Sequence, residues 1–329
     1  MTVSDAPPTM NDVAREAGVS VGTVSRYVNG IAVKDASRQR VEAAIRKLNY
    51  QVNSYARGLK TNKTYCAALI LPVLTLPFFS LLAEEVTAAL NRKGYRTVLM
   101  ITNYDPEAER TCVSMVRQNK MDGIIALTYN PRTEFDPTIP LVSIDRRCEA
   151  SRTCVSSDNY RGGEMAAERL LALGCKKLLF LRIGSDVSSE VDKRGIGFET
   201  ACKTAGADYE MLILSDSETN EPFYRYLREH TADGVPDFDG IFCNTDRLAL
   251  QIQRKLAELG VRVPEDVQLI GFDGVPDYLT GAPACSTIVQ PVAQLAETAV
   301  NALLNADADA APSLICLPVH FEAHGTTRE

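Results

Sequence analysis

Five polar side chains follow or open regular elements in the sequence and could together bind a small polar molecule. Ser80, Asp145, Asp246 and Asp273 stand at the ends of apolar runs, and Arg194 opens a helical pattern. Carboxylates and a guanidinium directed into one cleft can form paired hydrogen bonds with neighbouring hydroxyl groups, as a sugar presents them. Each aspartate could instead cap a helix, a common use of this residue after a strand. The convergence of five such positions favours a binding site.

The elements that would position these side chains are alternating strands and helices from residue 64 onward. Nine apolar runs predict strands: YCAALILPV, YRTVLMIT, GIIALT, PLVSID, KKLLFLRI, YEMLIL, GIFCNT, VQLIGFDG and LICLPV. Helical patterns such as LLAEEVTAALNRKG lie between most of them. This alternation predicts an α/β fold of doubly wound parallel sheets, and the length of this part of the chain predicts two lobes. Ligands of such folds bind beyond the carboxyl ends of the strands.

The first fifty residues have a different pattern, which predicts three short helices. Thr9 can cap the first helix, with Asp12 in the capping-box position, and Gly18 can end it. Ser20 can cap the next helix after a turn of about three residues, the spacing of a helix-turn-helix motif. Asp35 or Ser37 can begin a third helix. The sequence therefore predicts an α-helical head that precedes the α/β body.

The second helix of this head could read DNA. Val24 and Val28 would face the core, and the opposite face would present Arg26 to a guanine edge or a phosphate and Val21 to a thymine methyl group. The other DNA contacts predicted in and beside this helix are Gly22, Thr23, Ser25 and Asn29, with Thr9 at the first helix. An amphipathic helix of a small bundle, with a solvated Arg26, is the alternative.

Charge is distributed unevenly along the chain. The whole sequence of 329 residues has a net charge of −7, yet residues 1–63 carry ten Lys and Arg against five Asp and Glu, which gives +5 and leaves −12 for the remainder. A basic head on an acidic body indicates that the head meets a polyanion. No apolar run is long enough to span a membrane, and the N-terminus lacks the pattern of a signal peptide. The nine cysteines are scattered singly, mostly in apolar runs such as that around Cys316, and are expected to be reduced, buried small hydrophobic residues with no metal site.

Two motifs of the first sixty residues, DVAREAGVSVGTVSRYVN and LNYQVNSYARGL, resemble the DNA-binding head and hinge of the LacI/GalR family of bacterial transcriptional regulators. Val28, where the family typically has Leu, and Lys34, where it usually has Ser, are mild departures. The resemblance implies that residues 51–63 form a hinge helix that orders only when two copies lie in the minor groove, where Leu59 would wedge between base pairs. The hinge contacts that it implies are Tyr50, Asn53, Ser54, Ala56, Arg57 and Leu59.

The body is similar to the effector domain of the same family, itself akin to periplasmic sugar-binding proteins. The matching pieces include PFFS, YRGG, VPEDV and LIGFD. By position, the resemblance implies effector contacts at Phe79, Ser80, Asp145, Arg194, Asp246 and Asp273. Thr245, where the family commonly has Asn, and Ser217, where an aromatic residue often stacks on the ligand, leave the ligand open. Sugars and purines are both used in the family, and the carboxylates favour a sugar or sugar phosphate.

The sequence therefore predicts a cytoplasmic, homodimeric repressor, not an enzyme, without a cofactor, whose affinity for a palindromic DNA operator is changed by a small effector. Its predicted parts are a head at residues 1–50, a hinge at 51–63 and a two-lobed domain at 64–329. A sugar-binding protein without a regulatory role is the alternative. A dehydrogenase is a third possibility, for which the sequence offers only Gly195-Ile196-Gly197, a fragment of the dinucleotide-binding motif.

Overall fold

The computed structural model describes residues 8–28, 31–50, 63–128, 130, 134–147, 151–185, 187–215, 219–277, 279–307 and 311–328. The chain divides into two compact units, Met1–Tyr65 and Cys66–Glu329. We call them the head and the body and describe each by itself.

The head contains the three predicted helices: α1 (Met10–Ala17), α2 (Val21–Val28) and α3 (Asp35–Leu48). Thr9 and Asp12 form the predicted capping box, and Gly18 ends α1 with a φ of 60°. The Oγ of Ser20 accepts the backbone N–H of Thr23, 3.2 Å away, at the start of α2. Burial of these helix faces against one another provides a small core, which includes Val13, Ala14, Ala17, Val24, Val41, Ala44 and Tyr50.

The first lobe of the body is built on a six-stranded, entirely parallel sheet. Its strands are β1 (Cys66–Leu71), β2 (Arg96–Ile101), β3 (Gly123–Ala126), β4 (Leu141–Ile144), β5 (Thr153–Ser157) and β13 (Ser313–Leu317), in the order β13-β5-β4-β3-β1-β2. Its helices are α4 (Pro77–Arg92), α5 (Pro106–Gln118) and α10 (Val292–Leu304). Strands β1, β3 and β4 are buried along their whole length, as expected for strands covered on both faces.

The second lobe repeats this plan on another six-stranded sheet. Its strands are β6 (Lys177–Gly184), β7 (Asp208–Ser215), β10 (Gly240–Cys243), β11 (Gln268–Asp273), β12 (Thr287–Val289) and β14 (His320–Glu322), in the order β14-β12-β11-β10-β6-β7. Its helices are α6 (Asn159–Ala172), α7 (Lys193–Ala205), α8 (Glu221–Glu229) and α9 (Asp246–Glu258); β8 (Thr231–Ala232) and β9 (Val235–Pro236) form a small hairpin. All pairings within the large sheet are parallel except β12 with β14.

The chain passes between the lobes three times. It leaves the first sheet after β5 to begin α6, returns after β12 to begin α10, and crosses again between β13 and β14. The crossings are hydrogen-bonded to one another, since the N–H of Asp158 donates to the carbonyl of Leu317 at 2.7 Å and the Oγ of Ser157 donates to the Oε1 of Gln290 at 2.8 Å. The lobes therefore meet at a connected bundle of three segments.

Helices α6 and α7 approach each other with backbone in contact with backbone. A Cβ atom at Gly163 would lie 1.9 Å from the carbonyl oxygen of Arg194, and one at Gly197 would lie 2.0 Å from that of Tyr160. Gly195-Ile196-Gly197 lies inside α7, so these glycines do not form a phosphate-binding turn. Gly197 instead allows two helices to pack closely, a role that was not predicted from the sequence.

The predicted helical head and the two-lobed parallel α/β fold that follows it in the sequence are confirmed, but several elements were missed. Strands β5, β12 and β14, which are short and partly polar, were not predicted. Of the cysteines in the described residues, seven are buried as expected, whereas Cys316 is exposed on β13 and the prediction for it was wrong. Cys316 is exposed because β13 is the edge strand of its sheet.

Candidate functional site

The exposed face of α2 carries the predicted DNA contacts. Val24 is completely buried in the head core, so the opposite side of the helix is directed outward. Val21 is 42% exposed, and Gly22 and Arg26 are exposed as well, while Thr23 is half-buried. This arrangement leaves an apolar contact and a guanidinium available on one helix surface, which is the geometry that reading a major groove requires.

The structure does not place the other predicted DNA contacts on this face. The Thr9 hydroxyl donates to the carboxylate of Asp12 at 2.6 Å, in addition to the two bonds of their capping box, and Tyr50 packs into the head core with 8% of its surface exposed. Ser25 is half-buried within α2. The remaining contacts, Asn29, Asn53, Ser54, Ala56, Arg57 and Leu59, lie outside the described residues. All of these assignments stay predictions.

In the body, the structure brings Asp145, Arg194 and Asp273 together. Arg194 is 3% exposed, and its Nη1 lies 3.7 Å from the Oδ1 of Asp273. Its Nε donates to the Oδ1 of Asn159 at 2.7 Å, its Nη1 donates to the carbonyl of Asn244 at 2.6 Å, and its guanidinium lies 3.5 Å from the centre of the Phe272 ring. The guanidinium is therefore held rigidly by contacts on several sides.

The backbone at two of the acids is strained. Asp145 has a φ of 56° and Asp273 has a φ of 131°, values that residues other than glycine rarely adopt. Each residue directly follows or ends a strand, β4 for Asp145 and β11 for Asp273. Strain of this kind persists only where the surroundings enforce it, and it is concentrated at functional sites.

Asp246 has a different environment from the other two acids. Its Oδ1 accepts the Thr287 hydroxyl at 2.5 Å, and its Oδ2 accepts the backbone N–H of Gly274 at 2.8 Å. A Cβ at Gly271 would lie 2.3 Å from that Oδ1, so glycine is needed there to admit the carboxylate. Asp246 therefore braces the loop that follows Asp273, and direct contact with an effector stays a prediction for it.

Burial dominates the ionisation of all three acids. The pKa of Asp145 is raised because the carboxyl is removed from water, although Arg194 and the Ser156 hydroxyl oppose this effect. Burial likewise raises the pKa of Asp246 and of Asp273, and the two acids repel each other. Arg194 acts on Asp145 and Asp273, and the buried Arg146 acts on Asp145 as well. The three carboxyls still outnumber these two guanidiniums, so the site favours ligands that donate hydrogen bonds without adding negative charge.

Phe79 and Ser80 lie at the start of α4 in the first lobe. The Phe79 ring is 5% exposed and lies 5.8 Å, centre to centre, from the ring of Phe78. Ser80 is exposed, and its hydroxyl donates to the carbonyl of Leu74 at 2.5 Å. None of their contacts in the described residues joins them to the three acids, so an effector contact stays a prediction for both.

Four polar residues beside these acids were not predicted from the sequence: Ser156, Ser157, Asn159 and Gln290. All four are buried, with at most 4% of their surface exposed. The Ser156 hydroxyl donates to Asp145 at 2.8 Å, and Gln290 donates from Nε2 to the Oδ1 of Asp273 at 2.8 Å. The one available signal was the polar pair at the end of TCVSS, which could have been recognised as a strand ending in the cleft.

Comparison with known proteins agrees with both units. The bacterial regulatory protein lacI family matches residues 9–53, and the periplasmic binding protein-like domain matches residues 167–326. The chain is 34% identical over 326 residues to the ribose operon repressor of Lactococcus lactis subsp. lactis, covering 98% of each chain. It belongs to the lacI family. This family consists of DNA-binding transcriptional regulators, so the prediction of a regulator that is not an enzyme is confirmed.

Solved structures of this family have the same architecture. The Lac repressor bound to ONPG in its repressed state superimposes with a TM-score of 0.81 at 25% identity, covering 98% of this chain and 100% of that one. A periplasmic binding protein/LacI transcriptional regulator from Alkaliphilus metalliredigens, complexed with D-xylulofuranose, has a TM-score of 0.68 at 26% identity and covers 80% and 100%. In the described part of the lacI-family chain, no helix has the length and apolar character needed to cross a membrane. No cluster of His, Cys, Asp and Glu suited to a metal ion occurs in those ranges either.

Proposed function

We propose that this lacI-family chain is a cytoplasmic homodimer that represses transcription and is released from its operator by a sugar. The predicted scheme of a head at 1–50, a hinge at 51–63 and an effector domain at 64–329 is retained. Two identical heads would read a palindromic operator. The observation that carries the proposal is the buried set of Asp145, Arg194 and Asp273, contributed by both lobes. An effector held by both lobes would change their relative position, which provides the allosteric coupling.

We propose an uncharged pentose as the effector. Asp145 and Asp273 can each accept hydrogen bonds from sugar hydroxyls, while Arg194 is already engaged by Asn159, Asn244 and Phe272. The 34% identical relative is named for a ribose operon, and a structural relative holds D-xylulofuranose. These likenesses support D-ribose as the first probe. A sugar phosphate, which the sequence analysis left open, is disfavoured by the surplus of carboxyls.

We expect D-ribose to bind the full-length protein roughly tenfold or more tightly than D-ribose 5-phosphate, because the phosphate adds negative charge beside buried acids. Isothermal titration calorimetry with both ligands at neutral pH measures this ratio. Raising the pH through 8, which ionises Asp273, should increase the ratio of the two affinities further. Tighter binding of the phosphate would refute the assignment of an uncharged effector.

Replacing Arg26 by Ala should weaken operator binding by roughly 10- to 100-fold for each half-site, because a guanidinium contact to a base or phosphate is lost. The operator is first selected from a random DNA library with the unmodified protein, and affinities are then measured by fluorescence anisotropy at fixed salt. Arg110→Ala, which removes an exposed arginine paired with Glu107 on α5, is the matched control. Equal affinities of the two variants would reject α2 as the DNA-reading helix.

A sugar-binding protein without a regulatory role would bind the pentose but select no DNA sequence. The library selection described above separates the two functions. Enrichment of a palindrome supports the repressor, and the absence of any enriched sequence supports the alternative.

A further inference from the structure

Two buried amide side chains hold charged residues of the candidate effector site. Asn159 accepts the Nε–H of Arg194 at 2.7 Å through its Oδ1, and Gln290 donates from its Nε2 to the Oδ1 of Asp273 at 2.8 Å. Asn159 is 2% exposed and Gln290 is 4% exposed. Neither amide carries charge, so each can orient its charged neighbour without adding to the surplus of carboxyls.

The other end of each amide is bonded to one of two consecutive serines. The Nδ2 of Asn159 donates to the Oγ of Ser156 at 3.0 Å, and the Oε1 of Gln290 accepts the Oγ–H of Ser157 at 2.8 Å. Both serines end β5, which belongs to the first sheet, whereas Arg194 and Asp273 belong to the second lobe. Each amide therefore links a charged group of one lobe to the same strand end of the other.

These links lie at the crossings between the lobes. Asn159 is the first residue of α6, directly after the first crossing, and Gln290 lies between β12 and α10, in the second. The backbone N–H of Gln290 also donates to the carbonyl of Asp273 at 3.0 Å. Because of these bonds, a ligand that displaces Asp273 or Arg194 would also displace the crossings that connect the lobes.

We propose that Asn159 and Gln290 are positioning residues that fix Arg194 and Asp273 for the effector and join them to the crossings between the lobes. The inference rests on the proposed function of this site. A purely structural role would predict only a loss of stability on substitution. A positioning role predicts in addition a change in the ionisation of Asp273 and in affinity for the ligand.

The first test uses no ligand. Gln290→Met keeps the size of the side chain but removes the hydrogen bond that favours ionised Asp273, whose other charged neighbours are Arg194, Asp246 and Asp145. The loss raises the pKa of Asp273 further, so the decrease in melting temperature relative to the unmodified protein should grow from pH 5 to pH 9. In an Asp273→Asn background, this growth should disappear.

Gln268→Met is the matched control, since Gln268 is a completely buried glutamine at the opposite end of β11. Its hydrogen bonds join Leu173, Cys175 and Arg328 and include no carboxyl. Its effect on the melting temperature should be independent of pH over the same range. A decrease in melting temperature that is also independent of pH in Gln290→Met would overturn the positioning role. So would a pH-dependent decrease that remains unchanged in the Asp273→Asn background.

The second test measures D-ribose binding by calorimetry. Gln290→Met and Asn159→Ala should each weaken it roughly 10- to 100-fold, because a hydrogen bond to a charged group is lost. Ser157→Ala, which removes a hydroxyl bonded to the uncharged Gln290, should weaken it by roughly 2- to 10-fold, and Gln268→Met should leave it unchanged. Unchanged affinity in the first three variants would overturn the inference. If the unmodified protein does not bind D-ribose, the assignment of the effector fails, and the pH test still decides the inference.

Discussion

Replacing Gly197 by Ala is expected to destabilise the body by about 3 kcal/mol or more, the largest effect on stability that we predict. In an ordinary helix this substitution stabilises by about 0.5–1 kcal/mol, because alanine restricts the unfolded chain. The sign is reversed in α7 because the new Cβ would lie 2.0 Å from the carbonyl oxygen of Tyr160. Since that atom is backbone, α6 and α7 must separate to admit the methyl group.

Thermal unfolding monitored by circular dichroism measures this effect, and Ile196→Ala is the control. Ile196 is the preceding residue of the same helix and is 52% exposed, so its truncation should change the melting temperature little. Because Arg194 lies one turn away from Gly197, the separation of the helices should also weaken D-ribose binding. A Gly197→Ala protein as stable as the unmodified one would contradict the backbone contact between α6 and α7.

Replacing Asp273 by Asn should stabilise the unliganded protein at alkaline pH and nearly abolish effector binding. Burial raises the pKa of Asp273 from 3.8 to about 8, even with Arg194 beside it, so the folded environment as a whole disfavours the carboxylate. A raised pKa of this kind contributes stability that is present below pH 4 and is lost as the pH rises through 8. Asparagine carries no charge, so its contribution to the stability of the folded protein does not change between pH 4 and pH 8.

We expect the melting temperature of Asp273→Asn to exceed that of the unmodified protein by roughly 5 °C above pH 8, and the difference to vanish toward pH 4. D-ribose affinity should fall by more than about 100-fold, because the asparagine amide replaces one of the two carboxyl oxygens that can accept hydrogen bonds from sugar hydroxyl groups with a donor. Asp208→Asn, at an exposed aspartate, is the control for both measurements. A variant that is less stable than the unmodified protein at pH 9 would show that the ion pair with Arg194 outweighs burial.

Sequence patterns were sufficient for the framework of the fold and for the charged residues at its centre. Apolar runs locate strands such as β1 and β11 because these strands are buried on both faces, and the position after a strand locates Asp145 and Asp273. Strand β5 was missed because TCVSS has little apolar character and pairs with β13, about 160 residues later in the chain. Its two serines could be assigned a role only once the crossings between the lobes were known.

The same limit applies to roles within the site. Asp246 and Asp273 both follow strands, and no local pattern distinguishes the one whose oxygens brace a loop from the one that faces Arg194. Gly197 could be read as part of a phosphate-binding motif until the approach of α6 to α7 was visible. In each case the missing information is a contact between segments far apart in sequence.

The entry of β13 and β14 into separate sheets has a consequence for biosynthesis. The first lobe obtains its strands β1 to β5 early, but α10 and β13 leave the ribosome only after nearly the whole second lobe has been made. Neither sheet has all six of its strands before residues 313–322 are translated. Contacts of such long sequence separation slow folding and leave strand edges exposed while the chain grows. The nascent body is therefore expected to depend on chaperones until its final strands emerge, and to fold after translation as one unit.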